Sequence, residues 1–114
     1  MARLHHIALR TPDVDRAFAF YQHWFGLRPA RDMRPRAVWL SLEGGVLMIE
    51  QSDPDEPAVP AGSRELLALA VTVEERDRLR EKLVQAGLLE DETAHTLYFR
   101  DPDGRRVAVS SYPL

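Results

Sequence analysis

The sequence predicts an α+β fold built from two copies of one βαβββ module. In each half of the 114-residue chain, an apolar strand leads into a helix that ends at a Gly-Leu pair: Gly26-Leu27 in the first half and Gly87-Leu88 in the second. Two further strands around a tight turn follow each helix. Self-similarity of this kind indicates a repeated structural unit.

The two modules are predicted to form a single domain over 1–114. The stretch 52–63 contains three prolines and three acidic residues and has no apolar periodicity. Such a composition is typical of a linker. We therefore place the first module at about 3–51 and the second at about 64–114.

The first module opens with an alternating strand over 4–10, in which His6, Ala8 and Arg10 share one face because side chains alternate with period two. Thr11-Pro12-Asp13 is typical of a helix start, with Thr11 as the capping hydroxyl and Pro12 at the first helical position. The segment containing Pro29 and Pro35 is predicted as a loop. Strands over 37–42 and 46–50 then flank a glycine turn.

The second module repeats this plan. A strand over 66–71 leads to Thr72, which forms a capping-box pattern with Glu75 and so predicts a helix start. Strands over 97–100 and 106–110 flank the turn Asp101-Pro102-Asp103-Gly104. In both modules the strand directly after the helix is expected to be short, and its position is left open.

The composition excludes several classes of function. A formal charge of -3 gives no electrostatic reason to expect nucleic acid or an anionic membrane as a partner. The absence of cysteine excludes disulfides and thiolate chemistry. No apolar run is long enough to span a bilayer and no signal peptide is apparent, so a cytoplasmic location is expected.

Three stretches together resemble the vicinal oxygen chelate superfamily, which includes glyoxalase I, bleomycin and fosfomycin resistance proteins and extradiol dioxygenases. They are the strand and helix start over 4–13, the helix with Ala19-Phe20-Tyr21, and the turn over 99–104. The resemblance implies sheets curved around a cavity and a homodimer. It also implies a divalent metal ion as the one candidate cofactor, held by residues from the first and last strands of each module.

Carried over to this chain, the resemblance implies that His6 and Glu50 would be the metal ligands of the first module. Counting from Gly87 and from the second turn gives Ala68, or Leu67 one residue away, and Ala108 as the corresponding positions, and none of these can bind a metal. A stable zinc site generally uses three or four protein ligands. Tyr98 and Ser110 could add to the pair by strand parity, whereas His95 has the opposite parity.

A second interpretation of the pair needs no metal. Glu50 could act as a catalytic general base that His6 orients. Alternatively, both side chains could simply bind each other or a ligand.

Four residues share the inward parity and could line a pocket: Arg10, Trp39, Met48 and Tyr98. The aromatic rings would stack on a planar ligand, and Arg10 or Arg100 would meet an acidic group. For Trp39, ordinary packing of the sheet explains its presence equally well.

The expected function is therefore the binding of a small planar or acidic organic ligand in the cavity, as in bleomycin-resistance-like proteins. The alternative is a metal-dependent lyase, isomerase or dioxygenase of glyoxalase type that uses His6 and Glu50. A third possibility is an interaction domain whose cavity is filled by its own side chains.

Overall fold

The computed structural model describes all residues, 1–114, and divides into two compact units, 1–58 and 59–114. Each unit contains one helix and one four-stranded mixed sheet. The predicted α+β fold with a repeated βαβββ order is confirmed. Neither helix has the length and apolar character needed to cross a membrane.

The elements follow one another in the same order in both units. In the first unit they are β1 (His6–Thr11), α1 (Val14–Phe25), β2 (Pro29–Met33), β3 (Ala37–Leu42) and β4 (Gly45–Gln51). In the second they are β5 (Leu66–Ala70), α2 (Val73–Gln85), β6 (Asp91–Glu92), β7 (Thr96–Arg100) and β8 (Arg106–Ser110).

The two sheets have matching topologies. Their strand orders are β1-β4-β3-β2 and β5-β8-β7-β6. In each sheet the first strand pairs in parallel with the last, and the remaining neighbours are antiparallel. The first strand therefore lies at one edge of its sheet.

The start of α1 differs from the prediction. The N-cap is Asp13, whose carboxylate accepts the Arg16 N–H at 3.0 Å. Thr11 instead ends β1, where its buried hydroxyl oxygen accepts the Asp13 N–H at 3.1 Å. Thr11 lies two residues before the N-cap and does not cap the helix, because the strand extends to Thr11. The predicted capping box between Thr72 and Glu75 at the start of α2 is confirmed.

The short strand after α1 lies within the segment that was predicted as a loop. β2 starts at Pro29 and pairs with β3, with an irregular register between Pro29 and Arg31. Proline is tolerated there because β2 is an edge strand with no ladder partner on its outer side. The second unit keeps only the two-residue β6 in the corresponding place.

Each sheet packs one face against its helix and leaves the other face open. In the first unit the buried strand residues are Leu9, Val38, Leu40, Leu47 and Ile49, and the buried helix residues include Phe18 and Tyr21. On the helix side of the second unit the buried residues are Leu83 of α2 and Leu97, Phe99, Val107 and Val109 of the sheet. Because these positions alternate along the strands, the intervening side chains are directed to the opposite, open face, where Ala37 and Ala108 are buried as well.

Candidate functional site: the open faces of the two sheets

The open face of the first unit is defined by the strand residues that alternate with its core. They are His6, Ala8 and Arg10 of β1, Val46, Met48 and Glu50 of β4, and Ala37, Trp39 and Ser41 of β3. The predicted residues Arg10, Trp39 and Met48 are therefore all on this face.

A row of neighbouring side chains crosses the middle of this face. Met48 pairs in register with Ala8 on one side and Trp39 on the other, and Trp39 pairs with Arg31 of the edge strand. The Arg31 guanidinium lies over the Trp39 ring at 5.5 Å from its centroid. Arg31 was not predicted from the sequence, because its segment is polar and was predicted as a loop rather than as the strand β2.

Trp39 carries an unmet polar group. Its indole Nε1 is buried and has no hydrogen-bond partner. A buried donor without an acceptor generally costs about 1–3 kcal/mol. A buried donor of this kind generally has a specific explanation, such as a bound molecule that supplies the acceptor or a functional role for the group.

Arg10 lies next to Glu50 at one end of the face and is surrounded by carboxylates. Its guanidinium donates to Glu56 through Nε at 3.2 Å and through Nη2 at 2.9 Å. Glu50 and Asp53 lie farther away, at 3.9 and 3.8 Å. The hydrogen bonds from Arg10 hold the pKa of Glu56 below its usual value. Glu56 was not predicted from the sequence, because it lies in the linker, 46 positions away from Arg10.

His6 and Glu50 share the open face but occupy different ends of it. His6 is in register with Val46, whereas Glu50 is in register with Arg10. At the usual rise of a parallel strand, the two positions are separated by about 13 Å along the strand direction. His6 instead contacts His5, with an Nδ1–Nδ1 distance of 2.9 Å.

The side chains on this face do not fit a divalent metal. No group of three or more His, Asp or Glu side chains is placed to hold an ion. The carboxylate of the implied pair also contacts Arg10, which lies close enough to compete with a cation for it. Zinc generally needs three or four protein ligands, and calcium or magnesium needs more oxygens than this pair supplies.

The strand registers show which positions correspond in the two units. Ala108 pairs with Ala68 and Tyr98 in the same way that Met48 pairs with Ala8 and Trp39. Ser110 pairs with Ala70 and with Thr96, the first residue of β7, and so corresponds to Glu50. By the same register, Leu66 corresponds to His6.

Ala68 and Ala108, which were counted from the sequence, pair directly with each other, whereas His6 and Glu50 are four residues apart in register. The register-matched positions, Leu66 and Ser110, carry no imidazole or carboxylate. The second unit therefore adds no strong metal ligand at either set of positions.

The open face of the second unit combines small residues with one stacked aromatic ring. Ala68 and Ala70 are exposed beside Ala108, and the Tyr98 ring is covered by the Arg106 guanidinium at 4.1 Å from its centroid. Thr96 and Ser110 hydrogen-bond through their hydroxyls at 2.8 Å. Arg106 was missed in the sequence analysis, although it shares the parity of Ala108 and Ser110 in β8.

Arg100 is used within its own unit. Its guanidinium forms a two-pronged contact with Glu90 at 2.8 and 3.1 Å and also donates to the backbone oxygens of Ser63 and Gly104. The hydrogen bonds that Arg100 donates to Glu90 hold the pKa of this carboxylate below its usual value. Arg100 thus joins β7 to the segment before β5 and to the turn before β8, a role that favours stability.

Comparisons with known proteins agree with this architecture. A family model described as the Glyoxalase/Bleomycin resistance protein/Dioxygenase superfamily matches residues 3–109. The chain belongs to this superfamily, as its resemblance to vicinal oxygen chelate proteins led us to expect. Among curated proteins, no sequence matches it.

Several solved structures share the fold. The genomically encoded fosfomycin resistance protein FosX from Listeria monocytogenes is 20% identical, with a TM-score of 0.82 over 100% of this chain and 94% of that chain. The oxidase ChaP-H2 is 18% identical, with a TM-score of 0.78 over 98% and 94%. A lactoylglutathione lyase from Agrobacterium tumefaciens is 22% identical, with a TM-score of 0.71 over 93% and 90%. At these identities the likeness demonstrates the fold alone.

Proposed function

We propose that this chain binds a small planar or acidic organic ligand on the open face of its first unit, without a metal ion. The observation that carries the proposal is the row of Trp39, Met48 and Ala8 beside Arg10, on a face whose donor set does not suit a metal. Binding sites for small organic molecules are commonly apolar and aromatic, with a few placed polar groups.

The aromatic and cationic groups suit a flat ligand. Trp39 offers an indole ring on the open face, and its buried N–H lacks an acceptor. Arg31 already stacks on that ring, which is how a guanidinium and a planar group pack together. Met48 beside the ring supplies a soft, adaptable apolar surface. An oxygen atom of the ligand would be the natural acceptor for the indole N–H once Arg31 or Met48 moves aside.

Arg10 suits the acidic part of such a ligand. A guanidinium binds a carboxylate through two parallel hydrogen bonds, and Arg10 already holds Glu56 through two nitrogens. In register, Arg10 lies two positions along β1 from Ala8, on the same face. A ligand of the size of a substituted naphthalene could therefore reach both Arg10 and the Trp39 ring.

The alternative function is a metal-dependent enzyme of glyoxalase type. It gains support from one relative: a mutant of the Listeria FosX protein is described as complexed with Mn(II) and 1S,2S-dihydroxypropylphosphonic acid. In this chain the candidate ligands would be His6 and Glu50. The separation of these residues and the contact of Glu50 with Arg10 favour the metal-free function.

The test is a thermal-shift and calorimetric titration with 2-naphthoate as an acidic planar probe, with and without Mn(II). At ten times its dissociation constant, a ligand stabilises the folded state by about 1.4 kcal/mol, which raises Tm by about 5 °C in a domain of this size. We expect this shift without metal, and we expect Trp39→Leu to weaken binding about tenfold or more.

Trp24→Phe is the matched control, because Trp24 lies on α1 and not on the open face. Equal binding by wild type and Trp39→Leu would contradict the proposed site. A shift that requires Mn(II) and disappears in His6→Ala would favour the enzyme instead.

We also propose that the protein is a homodimer, as the superfamily resemblance implies. Leu66 and Leu4 are exposed large apolar residues that a partner subunit could cover. Light scattering should then give twice the chain mass of 13.0 kDa, and a mass of one chain would contradict the proposal.

A further inference from the structure

A tight turn at the start of the linker is fixed against the end of the open face of the first unit. The Glu56 N–H donates to the Asp53 carbonyl oxygen at 3.1 Å, and Pro54 occupies the second position of this turn. Just before it, the Ser52 N–H donates to the Thr11 carbonyl oxygen at 2.8 Å. The turn is therefore anchored to the end of β1, the strand that carries Arg10.

The turn presents one carboxylate to Arg10 in a defined geometry. Both oxygens of Glu56 accept from Nε of Arg10, and one of them also accepts from Nη2. The same oxygen accepts the Asp53 N–H at 3.2 Å, so the side chain is folded back over its own turn. A carboxylate held in this way occupies the place where the acid group of a free ligand would bind a guanidinium.

We propose that Glu56 is a built-in competitor for the ligand at Arg10: an acidic ligand reaches the guanidinium only after the Glu56 carboxylate has left it. This inference rests on the proposed function, because it concerns the same ligand site. Every acid that binds at Arg10 must therefore displace the Glu56 side chain, which weakens its apparent affinity. A ligand that also stacks on Trp39 gains further binding free energy that offsets this loss.

The surroundings of Arg10 suit exchange of one carboxylate for another. Glu50 at 3.9 Å and Asp53 at 3.8 Å stay beside the guanidinium when Glu56 leaves, so the arginine keeps its orientation. The Arg10 side chain is 42% exposed, so water can solvate it during the exchange. Ion pairs this exposed are weak, so the Glu56 side chain is able to leave Arg10.

The direct test follows the Nε–Hε resonance of Arg10 by NMR during a titration with sodium acetate at constant ionic strength. Glu56→Gln keeps the size of the side chain and removes the competing charge. We expect half-saturation at an acetate concentration about fivefold lower than in wild type, as an exposed ion pair of this kind would give. Asp55→Asn is the matched control, because Asp55 lies exposed in the same turn without contacting Arg10. It should change the midpoint less than twofold.

Three results would contradict the proposal that Glu56 competes with an acidic ligand for Arg10. They are coincident acetate curves for wild type and Glu56→Gln, an equal effect of Asp55→Asn, and no shift of the Arg10 resonance in Glu56→Gln. The amide spectrum of each variant confirms that it is folded.

A second titration separates this inference from the proposed function. 2-Naphthoate should bind Glu56→Gln about fivefold more tightly than wild type, whereas neutral 2-naphthamide should bind both equally. If no variant binds either naphthalene but acetate still competes with Glu56, the proposed function fails and the competitor stands. If 2-naphthoate binds wild type and Glu56→Gln equally, the competitor fails and the function stands.

Discussion

Asp101 organises the turn between β7 and β8, and replacing it with alanine should destabilise the protein strongly. Its buried carboxylate accepts the N–H groups of Asp103 and Arg105, both at 2.9 Å, and pairs with the Arg105 guanidinium at 2.8 Å. Asp101→Ala leaves the two backbone donors without their acceptor and removes the nearest carboxylate from the mostly buried Arg105, whose guanidinium keeps the Asp103 carboxylate at 3.7 Å. Breaking a buried pair costs about 3–5 kcal/mol, and Arg105 retains some exposure, so we expect about 3 kcal/mol.

Urea denaturation followed by circular dichroism measures this loss. With a slope of about 1.5–2 kcal/mol per molar urea, the midpoint should fall by about 1.5–2 M. Asp101→Asn keeps an oxygen for the two N–H groups and loses only the charge, so its midpoint should fall by about half as much. A decrease below about 0.5 M for Asp101→Ala, or equal decreases for the two variants, would refute this account of the turn.

Three further outcomes are expected. Gly26→Ala should lower the free energy of unfolding by about 1 kcal/mol in thermal denaturation, because Gly26 has a φ of 64° that a side chain disfavours, and an unchanged stability would contradict this. Trp39→Phe should change the free energy of unfolding by less than about 1 kcal/mol, because the lost ring volume is offset by removal of a buried N–H that has no acceptor. A loss above about 2 kcal/mol would show that the indole N–H has a hydrogen-bond acceptor in solution. The pKa of Glu90 is lowered in the folded state by Arg100, so its contribution to stability is complete above its ordinary value of 4.5 and is lost as the pH falls through the folded pKa. Glu90→Gln should therefore reduce the fall in the urea midpoint between about pH 5 and pH 3, and parallel pH profiles would contradict the assignment.

Much of the fold could be predicted because it depends on local patterns. Alternation along β1 and β4 placed Arg10 and Met48 on one face, and the spacing of Thr72 and Glu75 gave the capping box, since each depends only on residues a few positions apart. The cap of α1 was wrong because the choice between Thr11 and Asp13 depends on how far β1 extends, and its pairing with β4 decides that.

The partners of the charged residues could not be predicted in the same way. Arg100 was expected to meet a ligand, and its parity in β7 is compatible with that, yet its guanidinium contacts Glu90 and the backbone of Ser63. Arg10 likewise contacts Glu56 across 46 positions of sequence. Parity determines which face a side chain occupies, whereas long-range packing determines which opposite charge it meets there.

Position along the strand, rather than face, decides what His6 and Glu50 can do. Both lie on the open face, but a register offset of four residues means that a shared ion would require both side chains to extend fully toward each other. Glu50 would then leave the vicinity of Arg10, where it helps to neutralise the guanidinium. The side chains that are adjacent in register are Ala8, Met48 and Trp39, and these favour stacking and apolar contact. This arrangement supports the proposed selection of a ligand by its shape and charge over the chelation of a metal through which a substrate would bind.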